Sequence, residues 1–98
     1  VSDFDYQLLD DVIHSRIRLA VMSLLITVAE AEFNFLKEKI NATDGNLSVH
    51  LKKLEDANYI SVKKEFVNRK PRTLYTLTKN GKKAFEAYLD RLEKMIKK

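Results

Sequence analysis

The chain has no cysteine, one proline and two glycines in 98 residues. Without cysteine there is no disulfide framework, no thiolate nucleophile and no thiolate site for zinc or an iron-sulfur cluster, a composition suited to a reducing cytoplasm. So little proline and glycine, with no linker, repeat or low-complexity segment, implies a single domain over residues 1–98 without room for a second. Long apolar runs are missing too. The longest, LAVMSLLITV from Leu19 to Val28, falls far short of the ~20 residues that cross a bilayer and follows Arg16 and Arg18. It reads as a buried core helix, and no membrane partner is expected. Only two histidines occur, His14 and His50, on elements that should not converge, and neither a glycine-rich phosphate loop nor a nucleophile motif is present. An enzyme is therefore not expected, and no cofactor is implied. Asp10 and His14, at i and i+4, offer at most two ligands of a metal site; solvated polar residues account for them far better, and no metal is assigned.

What the chain has is cationic charge in one place. The net charge is +4, yet residues 1–32 carry six acids against two bases, and residues 46–83 carry ten bases against three acids. A continuous basic stretch favours a polyanionic partner such as nucleic acid, although a solvated basic surface has the same composition.

Leu8, Leu9, Val12, Ile13, Ile17, Ala20, Val21, Leu24 and Leu25 recur every three or four residues, which predicts one long helix. Glu30 to Phe33 is a loop or an edge strand. Asn34 is a candidate cap for a brief helix, FLKEKI, and NAT then turns the chain into Thr43, the natural N-cap of TDGNLSVHLKKLEDANYI. In that segment Leu47, Leu51 and Leu54 fall on one helical face, and Asp44 complements the helix dipole. The period then becomes strand-like. YISVKKEFV and RTLYTLT flank NRKP as an antiparallel hairpin, and Thr78 caps a last helix. There Phe85, Tyr88, Leu92 and Met95 form a 3-4-3 seam that extends past a compact domain, with Phe4, Tyr6, Leu8 and Leu9 able to join it from the other terminus. At this length a monomer buries only about two-thirds of its unfolded surface. A homodimer joined through terminal helices of about residues 3–14 and 79–97 is the expectation; the alternative is that both termini fold back on their own core.

The fold class that follows is α+β, mostly α: helix, short strand, helix, helix, two-stranded hairpin, helix. Helix, tight turn and helix is a unit whose second helix can lie in the major groove of DNA. With the three leucines inward and His50 at their edge, Gly45, Asn46, Ser48, Val49, Lys52 and Lys53 are left outside. Gly45 and Ser48 allow close approach to base edges, Asn46 can pair bidentately with adenine, and Val49 can meet a thymine methyl. Thr43, His50, Lys52 and Lys53 are assigned to the DNA backbone. Lys63, Lys64, Arg69, Lys70 and Arg72 crowd the hairpin. Pro71 favours a stiff exposed tip there, and Arg69 or Arg72 suits a narrow minor groove. Charged tips also simply protect edge strands from aggregation.

The segments HSRIRLAVMSLL, LSVHLKKLEDANYI and LYTLTKNGKKAF together resemble the small winged-helix transcriptional regulators related to the MarR and ArsR families, over about His14 to Leu92. The resemblance implies a winged helix-turn-helix, a recognition helix at Asp44 to Asp56, a wing at Ser61 to Thr78, and a homodimer joined by the terminal helices. Asn58 stands where many relatives have glycine, a position that left-handed geometry explains. The ArsR-type thiolate sensor cannot exist in this chain, and no small-molecule effector is identified. What the resemblance implies is transcriptional regulation by sequence-specific binding of double-stranded DNA. The competing reading is a winged-helix module that docks proteins and reads no DNA.

Overall fold

A computed structural model describes residues 6–97. A 3-10 turn, Tyr6–Leu8, precedes α1 (Arg16–Thr27), β1 (Glu30–Glu32), α2 (Phe33–Ile40), α3 (Asp44–Asp56), β2 (Ile60–Val67), β3 (Lys70–Leu77) and α4 (Lys79–Ile96). The three strands form one antiparallel sheet in the order β1-β3-β2. Glu30 to Glu32 is thus an edge strand, paired with β3 from Thr76 to Leu74.

The long first helix expected from Leu8 onward is broken. Leu9 and Ile13 are buried as their spacing requires, but Asp10 turns its carboxylate onto the backbone, where Oδ1 accepts from Val12 N–H at 2.8 Å and Ile13 N–H at 3.3 Å. Ser15 then caps α1, its Oγ accepting from Arg18 N–H at 3.4 Å. Short polar side chains that capture nearby amides offer the chain an alternative to helix. The terminal helix expected at about 3–14 is, over its described part, a 3-10 turn and a polar-stapled loop. Phe4 lies outside the described residues.

The expected cap of the second helix also moves. α2 begins at Phe33 with Glu32 as its extended N-cap, so Asn34 lies inside the helix. Asn41, at φ 59°, ends α2 and gives its N–H to the Lys37 carbonyl at 2.8 Å. Two residues later Thr43 caps α3 by accepting from Asn46 N–H at 3.2 Å. A 2.7 Å ion pair from Lys37 to Asp44 spans the turn.

Leu47, Leu51 and Leu54 of α3 meet Ile13, Val21, Met22, Leu25, Leu36 and Ile60 in the core. α3 ends in a left-handed turn. Asn58 has φ 63°, and Tyr59 N–H bonds the Leu54 carbonyl at 3.0 Å, which satisfies a carbonyl the helix leaves open. The first turn of α4 closes over this corner: Thr78 Oγ1 donates to the Asn58 carbonyl at 2.7 Å and accepts from Gly81 N–H at 2.9 Å. Gly81 is required there, since a Cβ would lie 2.0 Å from the Tyr59 carbonyl oxygen.

The seam read along α4 divides. Phe85 and Tyr88 belong to the chain's own core, and half-buried Met95 packs partly against it, so the first two are covered without a second chain and the third in part. Leu92 is exposed, and so are its neighbours Leu89 and Ile96. Helical spacing identifies an apolar face without saying which surface covers it.

Candidate nucleic-acid interface

Burial of the three leucines on α3 leaves Gly45, Asn46, Ser48, Val49, Lys52 and Lys53 exposed on its other side, with Thr43 exposed at the cap. The N-terminal part of this face is small. Nothing lies within 4 Å of a Cβ built on Gly45, so open space surrounds the backbone there. Val49 is the one large apolar side chain on it.

The two lysines differ in how they are held. Lys52 forms a 3.0 Å ion pair with Asp56 one turn on, and that hydrogen bond holds its ammonium above the usual lysine range. Lys53 has no ion pair among the described residues. His50 is half-buried, and its Nδ1 lies 2.7 Å from Arg18 Nη1. Burial, and then the charges of Arg18 and Lys53, lower its pKa, so the imidazole is the neutral acceptor of the guanidinium. Arg18 also donates through Nε to the Val12 carbonyl and through Nη2 to the Asp11 carbonyl at 3.4 Å. One side chain of α1 therefore ties the N-terminal loop to the DNA-facing helix candidate, a role the spacing of the sequence did not reveal.

The two histidines have separate partners. His14 Nδ1 lies 2.8 Å from the Tyr88 hydroxyl, and Asp10 Oδ2 accepts from the Tyr59 hydroxyl. Burial, with Asp10 as hydrogen-bond partner, pushes the Tyr59 phenol up to about 12. A backbone bond from His14 N–H to the Asp10 carbonyl at 2.8 Å links the two residues at i, i+4, but their side chains have separate partners. Among the described residues no group of three or more His, Cys, Asp or Glu is placed to hold a metal ion. Nor, among the same residues, is any helix long and apolar enough to cross a membrane.

The hairpin turns through two residues, Asn68 (φ 52°) and Arg69 (φ 66°), between the paired Val67 and Lys70. Positive φ at both central positions marks the type I′ turn that matches the twist of a two-residue hairpin. Pro71 lies one residue inside β3, opposite Phe66, rather than at the tip. As the neighbour of the closing pair, its missing N–H points away from β2, and β1 ends at the Leu74 register, so no ladder bond is lost. Lys63, Lys64, Arg69 and Lys70 are exposed. Arg72 is not equivalent to them. Its Nη2 and Nε hold Glu65 Oε1 at 2.8 and 3.1 Å, and Lys63 approaches the other carboxylate oxygen at 3.6 Å. Of the hairpin cations, Lys64, Arg69 and Lys70 have no ion pair among the described residues.

A helix-turn-helix followed by a basic two-stranded wing defines the winged-helix class. A family model described as a winged helix DNA-binding domain matches residues 17–96, and the chain belongs to that family. Membership sets it among DNA-binding domains, not enzymes. An uncharacterised protein of Methanocaldococcus jannaschii is 40% identical over 78 residues, covering 80% of this chain and 85% of the relative. The structure is similar to that of a transcriptional regulator homologue from Pyrococcus horikoshii, with a TM-score of 0.89 at 24% identity over 98% of this chain and 95% of the other. It is also similar to a MarR family transcriptional regulator from Silicibacter pomeroyi, with a TM-score of 0.65 at 15% identity over 84% and 54%. At these identities the two structural likenesses are likenesses of fold.

Proposed function

We propose that the protein is a homodimeric transcriptional regulator of the cytoplasm that binds double-stranded DNA with sequence preference. The observation that carries this reading is the outer face of α3, exposed, small at its N-terminal end and cationic further along. In a major groove Asn46 and Val49 face base edges, Gly45 and Ser48 allow close approach, and Thr43, His50, Lys52 and Lys53 lie toward phosphates. The wing adds Lys64, Arg69 and Lys70 on the backbone or in the adjoining minor groove. The names of the structural relatives support regulation of transcription as the use of this binding. A protein-docking module depends on a large apolar anchor at its contact face, and only Val49 is of that kind on α3.

The dimer is proposed on a narrower surface than the sequence suggests. Leu89, Leu92 and Ile96 line the exposed side of the distal half of α4, and Tyr6 and Leu8 are exposed on the N-terminal turn. Two-fold pairing would cover these and set two recognition helices about one DNA turn apart.

Selection of bound fragments from a random duplex pool tests the reading. Enrichment of a two-fold symmetric site supports it, and a pool that remains random through successive rounds rejects it.

A further inference from the structure

Phe66 is 78% exposed at the far end of β2. Its place in the register, more than its exposure, marks it out. Side chains alternate across the hairpin, so Ile60 with Leu77 and Val62 with Tyr75 share one face, and Ile60, Tyr75 and Leu77 pack on the helical core. Beyond the helices the same face continues as Lys64 with Thr73 and Phe66 with Pro71. The opposite face carries Lys63, Glu65 and Arg72, locked to one another by ion pairs. The only acid of the hairpin is thereby spent on the face away from Phe66.

We infer that Phe66, backed by Pro71, is an apolar wedge that enters the minor groove of duplex DNA at a deformable base step and bends it. The inference rests on the reading of the protein as a DNA binder and adds a residue that reads shape instead of base edges. Charge selects the occupant. Lys64 stands two residues before the ring on the same face and Arg69 lies at the turn, while Lys70 extends from the opposite face of the same tip; all three are without ion pairs among the described residues, and a polyanion is the partner they fit. A protein surface would need a contiguous apolar patch, whereas this face offers one ring and one proline. Rigidity suits a wedge as well, since the left-handed pair Asn68 and Arg69 holds a two-residue turn and Pro71 restricts the strand beside it. Inserted phenylalanine partly unstacks a step, and pyrimidine–purine steps yield most easily.

The test uses the whole chain with a duplex that it has itself selected from a random pool. Affinity is read by fluorescence anisotropy and bending by energy transfer between the duplex ends. The wild-type chain should bend the duplex by at least about 20°. Phe66→Ala should bind roughly tenfold more weakly and leave the duplex near its free shape, whereas Phe66→Leu should retain most of both effects. Because the ring is exposed, both variants should melt where the wild-type chain does. Unchanged affinity and bend in Phe66→Ala would overturn the inference while leaving DNA binding intact. A changed sedimentation coefficient with unchanged DNA binding would also overturn it, by assigning the ring to a protein contact. If the wild-type chain selects no duplex at all, both readings fail together, before any substitution is made.

Discussion

His50 Nδ1 accepts a hydrogen bond from Arg18 Nη1 at 2.7 Å, so the exposed helix α3 is held to α1 by a contact that only a neutral imidazole can make. The same guanidinium holds the carbonyls of Val12 and Asp11, and the N-terminal loop it fixes reaches α4 through His14 and Tyr88. This tie between α1 and α3, added to the packing of the three buried leucines, is therefore coupled to the proton on one nitrogen.

A pH dependence follows from that coupling. Burial, Arg18 and Lys53 lower the folded-state pKa of His50 below its ordinary 6.5. A depressed pKa means that the unfolded chain takes up the proton first, so this contribution to stability is present above about pH 6.5 and is lost as pH falls through the folded value. Thermal unfolding of the wild-type chain between pH 7.5 and about pH 5 should therefore show a larger loss than that of His50→Gln. Equal losses would remove His50 from the coupling.

The two glycines should respond to alanine with opposite signs. At Gly81 the added Cβ meets the Tyr59 carbonyl, and Gly81→Ala should cost about 1–3 kcal/mol in urea unfolding. At Gly45 there is open space, and Gly45→Ala should stabilise the helix by up to about 1 kcal/mol. The same change should weaken DNA binding if the bare backbone there approaches base edges. A Gly45→Ala variant that binds DNA as well as the parent would remove that role.

Asn46 is the one outward residue of the first turns able to pair bidentately with adenine. Asn46→Ala should relax preference at one base position by about 1–3 kcal/mol, read as the affinity ratio between the selected site and its single-base variants. A uniform loss on all sequences would assign Asn46 to the backbone.

On the wing, Arg69 and Arg72 should separate. Arg69 occupies a left-handed position, so Arg69→Gly should relieve roughly 1 kcal/mol of backbone strain and yet weaken binding. It should also lower the slope of log affinity against log salt by about 0.9 if it neutralises one phosphate. Arg72→Ala, which unties Glu65, should act mainly through hairpin stability and change the salt slope less. An unchanged slope in Arg69→Gly would take the wing tip out of the interface.

Helix α3 was legible despite the poor helix formers at its start, because its end signals and its spacing agreed: Thr43 as cap, Asp44 in the first turn, three leucines on one face, and Asn58 at the left-handed exit. The N-terminal segment was misread because Leu9 and Ile13 keep helical spacing as core residues while Asp10 and Ser15 bend the chain between them. Their residue types, both favoured at caps, were the available signal. Phe85 and Tyr88 show a second limit, since periodicity marks what is buried and not by whom. Phe66 shows a third. It continues the alternation of Ile60 and Val62, and only the length of the helices beneath decides that the core ends before it does. Arg18 left no trace in pattern at all, because its partners are backbone carbonyls and one histidine 32 residues away.

The most direct test of the central claim is amide chemical-shift mapping of the isotope-labelled chain on addition of a selected duplex. Perturbation should concentrate in Thr43 to Lys53 and in Lys64 to Lys70, with Phe85 and Tyr88 little changed. Shifts confined to α4, or none at low salt, would contradict the assignment of α3 and the wing to one DNA-facing surface.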